Sequence, residues 1–271
     1  MTARYRAASG PRPRPAFELP AWSDRWALLL DLDGTLARIA LSPDDVHVDA
    51  TLRRLIRSLR KRAHGAVAVI SGRPIREIDR LLGRAVQCVA GQHGAERRDA
   101  TGAVRRLRIP SAHLKAAGER IAAQIAAYDG LHCEWKGLSV ALHYRRAPSL
   151  AAFAHAKMRA EAVRLRSAFG VIVGKSVVEL KPTRASKGHA LEAFMCEPPF
   201  RGRIPVCIGD DVTDEDAFAS ALRLGGIAIK VGRGATCASH RLADSAAVRR
   251  WIARAAAGAA DAPRAGRGMV R

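Results

Sequence analysis

The segment Asp31-Leu32-Asp33-Gly34-Thr35-Leu36 follows directly on the apolar run Trp26-Ala27-Leu28-Leu29-Leu30, and it constrains this chain more than any other stretch. A short continuous apolar run that ends in a turn is the pattern of a buried strand in a parallel sheet. At its tip stand two carboxylates two residues apart. Side chains so spaced share one face of an extended chain, so both acids can meet in one site. Gly34 then lets the chain turn sharply. Crowded carboxylates are unfavourable unless a cation or a reaction uses them. The arrangement suits a carboxylate nucleophile beside a second acid, with a divalent metal between them.

Strands and helices alternate onward from this point, which predicts an α/β fold with a parallel sheet. Leu52, Leu55, Ile56 and Leu59 predict an amphipathic helix over 45–62. A second buried strand over 66–70 ends at Ser71-Gly72-Arg73-Pro74, and Ile75, Ile78, Leu81 and Leu82 mark the next helix. A third strand is expected over 86–89, leading into Gly91-Gln92-His93-Gly94. The character changes after about Leu107. A helix over 111–128 is followed by strand-like stretches at 131–135 and 138–144 around Lys136-Gly137, a hairpin signal. A helix over 149–168 and a second hairpin around Gly174-Lys175 complete an antiparallel α-β-β-α-β-β block. The parallel pattern resumes at the Ser186-Lys187-Gly188 helix start. A strand over 204–208 runs into Gly209-Asp210-Asp211-Val212-Thr213-Asp214-Glu215-Asp216, where Thr213 and Asp216 have capping-box spacing. A last strand over 226–231 and a helix marked by Val248, Trp251 and Ile252 close the pattern. The expected division is a core made of 23–110 and 182–256, an inserted unit over 111–181, a disordered basic arm over 1–22 and a disordered tail over 257–271.

Composition narrows the function. No apolar run in the 271 residues approaches the roughly 18 a membrane helix needs. The opening MTARYRAASGPRPRPAFELP has no apolar centre, so it is not read as a secretory signal, and no membrane partner is expected. The five cysteines, Cys88, Cys133, Cys196, Cys207 and Cys237, are scattered and contain no CxxC pair. That speaks against a disulfide framework or a structural zinc site and fits a reducing cytoplasm. The net charge of +21 raises the question of a nucleic-acid partner. Yet the basic residues are spread along the chain, and only 5% of residues are aromatic, which leaves no stacking platform. The charge reads better as an arginine-rich composition whose field draws anionic substrates.

Four polar segments sit at strand ends or at a helix start: the Asp31/Asp33 pair, Ser71-Gly72-Arg73, Lys187 and the acidic loop at 210–216. Each alone is ordinary, a turn, a helix cap or a solvated lysine. Open parallel sheets bind ligands at the carboxyl ends of their strands, where all four would converge. Their chemistry is that of phosphoryl transfer. Mg²⁺ takes hard oxygen ligands, which Asp31, Asp210 and the Asp33 carbonyl supply, while Asp211 or Asp214 could fix a ligand water. Ser71 and Lys187 suit the non-bridging phosphate oxygens, and Lys187 stands at a helix N-terminus that favours an anion.

DLDGTL, SGR, the Lys187-Gly188 pair and GDD-x-T-D together resemble the four motifs of the haloacid dehalogenase superfamily. Within it the chain resembles the trehalose-6-phosphate phosphatase family, through Gly91-Gln-His-Gly-Ala-Glu96, Glu134-Trp-Lys136, Leu142-His143-Tyr144-Arg145 and Val178-Glu179-Leu-Lys181-Pro182. The resemblance implies a Rossmann-like core with an α/β cap inserted at the antiparallel block. It implies that Asp31 is the nucleophile and Asp33 the general acid and base. It casts Glu134, Lys136 and Glu179 as sugar ligands, with His93 and Glu96 as further sugar-contact candidates. Arg73 would contact phosphate or pair with an acid, and His143 would serve packing or a hinge. The implied reaction is hydrolysis of a sugar phosphate, trehalose 6-phosphate, with a trehalose-phosphate synthase as pathway neighbour. Sucrose-phosphate or mannosyl-phosphoglycerate phosphatases share the core motifs and remain alternatives at this level. So does a basic nucleic-acid-binding protein, against which the acidic constellation argues.

Overall fold

The computed structural model describes residues 19–40 and 45–257. Its centre is β1 (Trp26–Leu30), five fully buried residues. β1 lies between β2 (Val67–Ile70) and β10 (Ile204–Gly209), parallel to both. The sheet extends outward through β3 (Cys88–Gly91) on one side and through β11 (Ile227–Val231) and β12 (His240–Leu242) on the other, all parallel. Beyond β3 it continues antiparallel through β4 (Glu96–Arg98) and β5 (Val104–Arg106). Alternate side chains of β1 face opposite layers. Leu28 and Leu30 pack under α1 (Ala50–Arg62), α2 (Ile75–Leu82) and α7 (Ser245–Ala257), while Ala27 and Leu29 pack under α5 (Lys187–Met195) and α6 (Glu215–Arg223). This is an α/β Rossmann-like core, its sheet covered on both faces as parallel strands require.

The residues between β5 and α5 form a second layered unit. Helices α3 (Ser111–Ile125) and α4 (Ala151–Arg164) cover one face of an antiparallel sheet. Its strands are β6 (His132–Trp135), β7 (Val140–His143), β8 (Phe169–Gly174) and β9 (Val177–Pro182), in the order β6-β7-β9-β8. Leu114, Ile121, Leu142, Met158, Val178 and Leu180 make its separate core. This α-β-β-α-β-β unit sits on the core as a cap.

Several expectations need correction. The first helix begins at Ala50 rather than 45, because the Asp49 side chain caps it by accepting from the Leu52 N–H at 2.6 Å. The third strand lies two residues later than expected, at Cys88–Gly91. The capping box in the acidic loop joins Asp211 and Asp214, not Thr213 and Asp216. Strands β4 and β5 had no hydrophobic signature. They form the antiparallel end of the sheet, β5 at its edge and β4 between β5 and β3, and their four arginines reach carboxylates: Arg97 and Arg105 bind Glu197, Arg98 binds Asp79, and Arg106 binds Glu96. Residues 1–18 of the expected arm and 258–271 of the expected tail lie outside the described residues. The last part of that arm is packed: Leu19 and Trp22 lie against the core, and Trp22 meets Trp26 edge-on with Arg62 over its ring. Among the described residues no helix is long and apolar enough to cross a membrane.

Packing of this kind has a measurable signature. Phe218, fully buried under the sheet, should cost about 3–5 kcal/mol when truncated in Phe218→Ala. Val163 on the cap helix is 78% exposed, and Val163→Ala should change stability by less than about 0.5 kcal/mol. Urea denaturation of the two variants tests the assignment of core and surface.

Candidate active site

Strand order reverses between β1 and β10, the place where open α/β sheets bind their ligands. The Asp31 N–H donates to the Ile208 carbonyl at 2.9 Å, so the chain past β1 stays alongside the chain past β10. Asp31 and Asp210 therefore meet although 179 positions separate them along the chain. Gly34 turns with a φ of +86°, and a Cβ there would overlap the Asp210 carboxylate, so only glycine allows this approach. From the opposite layer Lys187, the first residue of α5, donates to Asp31 Oδ1 and Asp214 Oδ1, both at 2.7 Å. Asp214 Oδ2 in turn accepts the Asp210 and Asp211 N–H groups, each at 3.0 Å, which fixes the acidic loop. Oxygens of Asp31, Asp210 and Asp214 lie within 4.8 Å of one another, and all three residues are buried.

Burial dominates the electrostatics here. It pushes the Asp31 carboxyl well above the usual range; the Lys187 ammonium opposes this, and the charges of Asp214 and Asp210 add to it. Burial alone would depress Lys187, but Asp214 and Asp31 more than offset that and hold its ammonium charged well above the ordinary lysine range. Beside the cluster, Arg73 clamps Asp33 through two bonds of 2.7 and 2.9 Å, with Glu77 at 3.5 Å from the same guanidinium. The Ser71 hydroxyl accepts the Arg73 N–H at 3.2 Å, which leaves its own proton to donate.

The cap closes over this floor. Lys136, in the β6–β7 loop, reaches Glu179 Oε2 at 3.0 Å and the Gly72 carbonyl at 3.5 Å. His93 of the core lies 3.4 Å from the same Glu179 oxygen. Its approach needs Gly72, where a Cβ would come to 2.8 Å from the imidazole. Glu134 is held by His143 at 2.8 Å. Lys175, at the tip of the β8–β9 hairpin, touches the Asp210 carboxylate and its carbonyl. One cleft is thus lined by the Asp31 and Asp33 floor, by Ser71, and by Glu134, Lys136 and Glu179 from above.

The model of the trehalose-phosphatase family matches residues 29–248. The chain is 42% identical over 238 residues to the trehalose-6-phosphate phosphatase of Escherichia coli (strain K12), covering 88% of this chain and 89% of that one. The chain belongs to the trehalose-phosphatase family. It is 42% identical over 209 residues to a probable trehalose-phosphate phosphatase of Sinorhizobium fredii, covering 77% of this chain and 78% of that one. The fold matches the C-terminal domain of a C. albicans trehalose-6-phosphate phosphatase with a TM-score of 0.77 at 22% identity, over 87% of this chain and 93% of that one. The protein is a phosphoric monoester hydrolase.

In this phosphatase the structure brings Asp31, Asp33, Ser71, Arg73, His93, Glu134, Lys136, Glu179, Lys187, Asp210 and Asp211 to the cleft. Asp214 stands behind it, fixing Lys187 and the loop. Glu96 departs from its expected sugar contact. Its Oε1 accepts the Ile75 N–H at 2.8 Å and the Gln92 amide at 3.2 Å, and Arg106 takes its other oxygen, so it braces the loop from beneath. Arg73 spends its guanidinium on Asp33 and Glu77, the acid-pairing alternative. Lys175 and Gln92 were missed. Gly174-Lys175 read as a turn, and no local pattern reports that a hairpin tip arrives at a distant strand end.

The Lys136–Glu179 pair predicts a pH signature. Burial alone would raise the Glu179 carboxyl, but Lys136 and His93 beside it hold it well below the usual range. Its stabilisation is therefore complete above the ordinary value of 4.5 and is lost as pH falls below it toward the depressed folded value. Glu179→Gln, which leaves the Lys136 charge poorly compensated, should lower stability at pH 7 by roughly 3 kcal/mol. The gap to wild type should narrow in the acid range below about pH 4.5. Urea denaturation at a series of pH values checks this, and a gap independent of pH would contradict it.

Proposed function

We propose that this enzyme hydrolyses trehalose 6-phosphate to trehalose and phosphate through a covalent phosphoryl intermediate on Asp31. One observation carries the reading: the buried Asp31–Lys187–Asp214 cluster faces, across a single cleft, the cap-borne Glu134, Lys136 and Glu179. The first half is the apparatus for taking a phosphoryl group, and the second is a set of fixed polar partners for a polyhydroxylated leaving group. The names of the relatives supply the sugar.

The Asp31 carboxylate attacks phosphorus, and the bond from phosphorus to the sugar oxygen breaks as Asp33 delivers a proton to that oxygen. Asp33 then takes a proton from a water that attacks the phosphorus, which frees phosphate and regenerates Asp31. Arg73 orients Asp33 for both steps. Lys187 and the Ser71 hydroxyl stabilise charge on the non-bridging oxygens. Asp210 Oδ1 is buried without a hydrogen-bond partner among the described residues, and the donors around it are hard carboxylate oxygens, so the site fits Mg²⁺. Asp31, Asp210 and the Asp33 main-chain carbonyl would hold the ion, and it would supply positive charge opposite the phosphoryl group. Asp214 and Asp211 would order the loop around it.

Residues 111–181 act in this reading as the cap that excludes bulk water and completes the sugar pocket, with bends near 108–112 and 181–185. Glu134, Lys136 and Glu179 contact the sugar, with His93 between core and cap. A trehalose-phosphate synthase would supply the substrate. The setting is the cytoplasm, in keeping with five free cysteines of which Cys196 and Cys237 are exposed.

Asp31→Asn should reduce phosphate release by roughly four orders of magnitude while Mg²⁺-dependent sugar-phosphate binding partly survives. Near-native release by that variant would refute the nucleophile. Glu134→Ala or Lys136→Ala should lower kcat/KM for trehalose 6-phosphate by about 10- to 100-fold and spare a small aryl phosphate. Equal losses on both substrates would point to misfolding. A panel of trehalose, sucrose and glucose phosphates, run with Mg²⁺ and with chelator, tests substrate and metal together. Turnover favouring trehalose 6-phosphate and abolished by chelator is the expected result.

A further inference from the structure

The mechanism leaves Gln92 without a role, although its environment is among the most constrained in the molecule. It is 3% exposed and has a φ of +47°, a conformation that residues bearing a Cβ seldom adopt. Its main chain belongs to the core: the Gln92 N–H donates to the Arg73 carbonyl and the His93 N–H to the Ser71 carbonyl, each at 2.9 Å. The turn at 92–93 and the Ser71-Gly72-Arg73 loop therefore move as one piece. The side chain points the other way, into the cap. Gln92 Oε1 accepts the Leu138 N–H at 2.8 Å and the Ser139 hydroxyl at 3.4 Å. Glu96 settles which end of the amide faces the cap. Its carboxylate can only accept, and it takes Gln92 Nε2 at 3.2 Å, so the carbonyl end must face Leu138.

We infer that Gln92 is a positioning residue that sets the register of the cap on the phosphate-binding loop, and through it the place of Lys136 against the leaving group. The inference rests on the reading of Lys136 as a sugar contact. Leu138 and Lys136 are two residues apart in one loop, so the bond at Leu138 determines where Lys136 Nζ arrives, between Glu179 Oε2 and the Gly72 carbonyl. An ammonium tolerates displacement, because its attraction to a carboxylate falls off gradually and without direction. A hydrogen bond to a main-chain N–H does not, because it weakens steeply with angle and distance. A cap docked out of register would leave both Gln92 Oε1 and the Leu138 N–H buried and unpaired. Ser139 next to them is fully buried, so water is poorly placed to replace the bond.

The test uses Gln92→Leu and Gln92→Met, which keep bulk but cannot accept from Leu138, compared with wild type as full chains with Mg²⁺. Circular dichroism gives the folded fraction, to which all rates are normalised. Kinetics on trehalose 6-phosphate and on p-nitrophenyl phosphate are paired with trypsin cleavage at the exposed Arg108 and Arg184, which flank the cap, mapped by mass spectrometry. The expected result is a 10- to 50-fold fall in kcat/KM for the disaccharide phosphate, carried largely by KM. The fall on p-nitrophenyl phosphate should be less than threefold, and cleavage at the two flanks at least fivefold faster. Unchanged flank cleavage in both variants, or equal losses on the two substrates, would overturn the inference. If wild type hydrolyses p-nitrophenyl phosphate but not trehalose 6-phosphate, the substrate reading fails, and flank cleavage alone decides for or against Gln92 as the register residue.

Discussion

Three buried carboxylates around one buried ammonium are the constraint on which the rest of this molecule depends. Asp31, Asp210 and Asp214 are each at most 6% exposed, and Lys187 is 4% exposed. Isolated ions at such depth would cost several kcal/mol apiece, so each must be compensated in place. Lys187 serves Asp31 and Asp214 together, and two main-chain N–H groups serve Asp214 from the other side. Asp210 is left with Lys175 on one oxygen and an unpartnered second oxygen among the described residues. The cluster carries more negative charge than its buried lysine neutralises, and a divalent cation would offset that excess and so let an anionic phosphoryl group approach. The crowding needs glycine where it is tightest: a Cβ at Gly34 would overlap the Asp210 carboxylate, and one at Gly209 would overlap the Asp214 carboxylate.

The two layers divide the work by chemistry. Main-chain geometry of the core brings Asp31, Ser71 and Asp210 together, because β1, β2 and β10 are neighbours and end at one level. The cap contributes long charged side chains in ion pairs that bridge to the core, with Glu179 between Lys136 and His93 and Lys175 against Asp210. Low-dielectric protein on both sides of the cleft strengthens the electrostatic contacts between buried groups within it. In the proposed mechanism these cap side chains are the ones that choose the leaving group.

Much of this is legible in the amino-acid sequence. The apolar runs at 26–30, 66–70 and 204–208 identify themselves as buried strands, and the polar segments after them become a site because parallel strands end together. The cap was legible as a change from isolated strands to hairpins. What stayed hidden has physical causes. The short β4 and β5 strands are arginine-rich and held through Glu197, Asp79 and Glu96, so they lack the alternation that marks a half-buried strand. The box between Asp211 and Asp214 competed with an equally plausible one two residues along, and the Asp214 side chain is held where it meets the Asp210 N–H and Lys187. Glu96 looked like a ligand because it follows a glycine-flanked histidine, and only the third dimension shows it turned under the loop toward Ile75 and Arg106. Gln92 and Lys175 act across the gap between layers, where sequence distance carries no information.

The central claim is that the Asp31 carboxylate itself carries the phosphoryl group during turnover. An acyl phosphate is reduced by borohydride to the alcohol, which would convert an aspartyl-phosphate at this position into homoserine. Enzyme quenched during steady turnover of trehalose 6-phosphate with Mg²⁺, reduced and mapped by mass spectrometry, should carry homoserine at residue 31 and at no other aspartate. The mark should be absent when substrate or metal is withheld. Homoserine at another aspartate, or an unmodified residue 31 while phosphate is being released, would contradict the account.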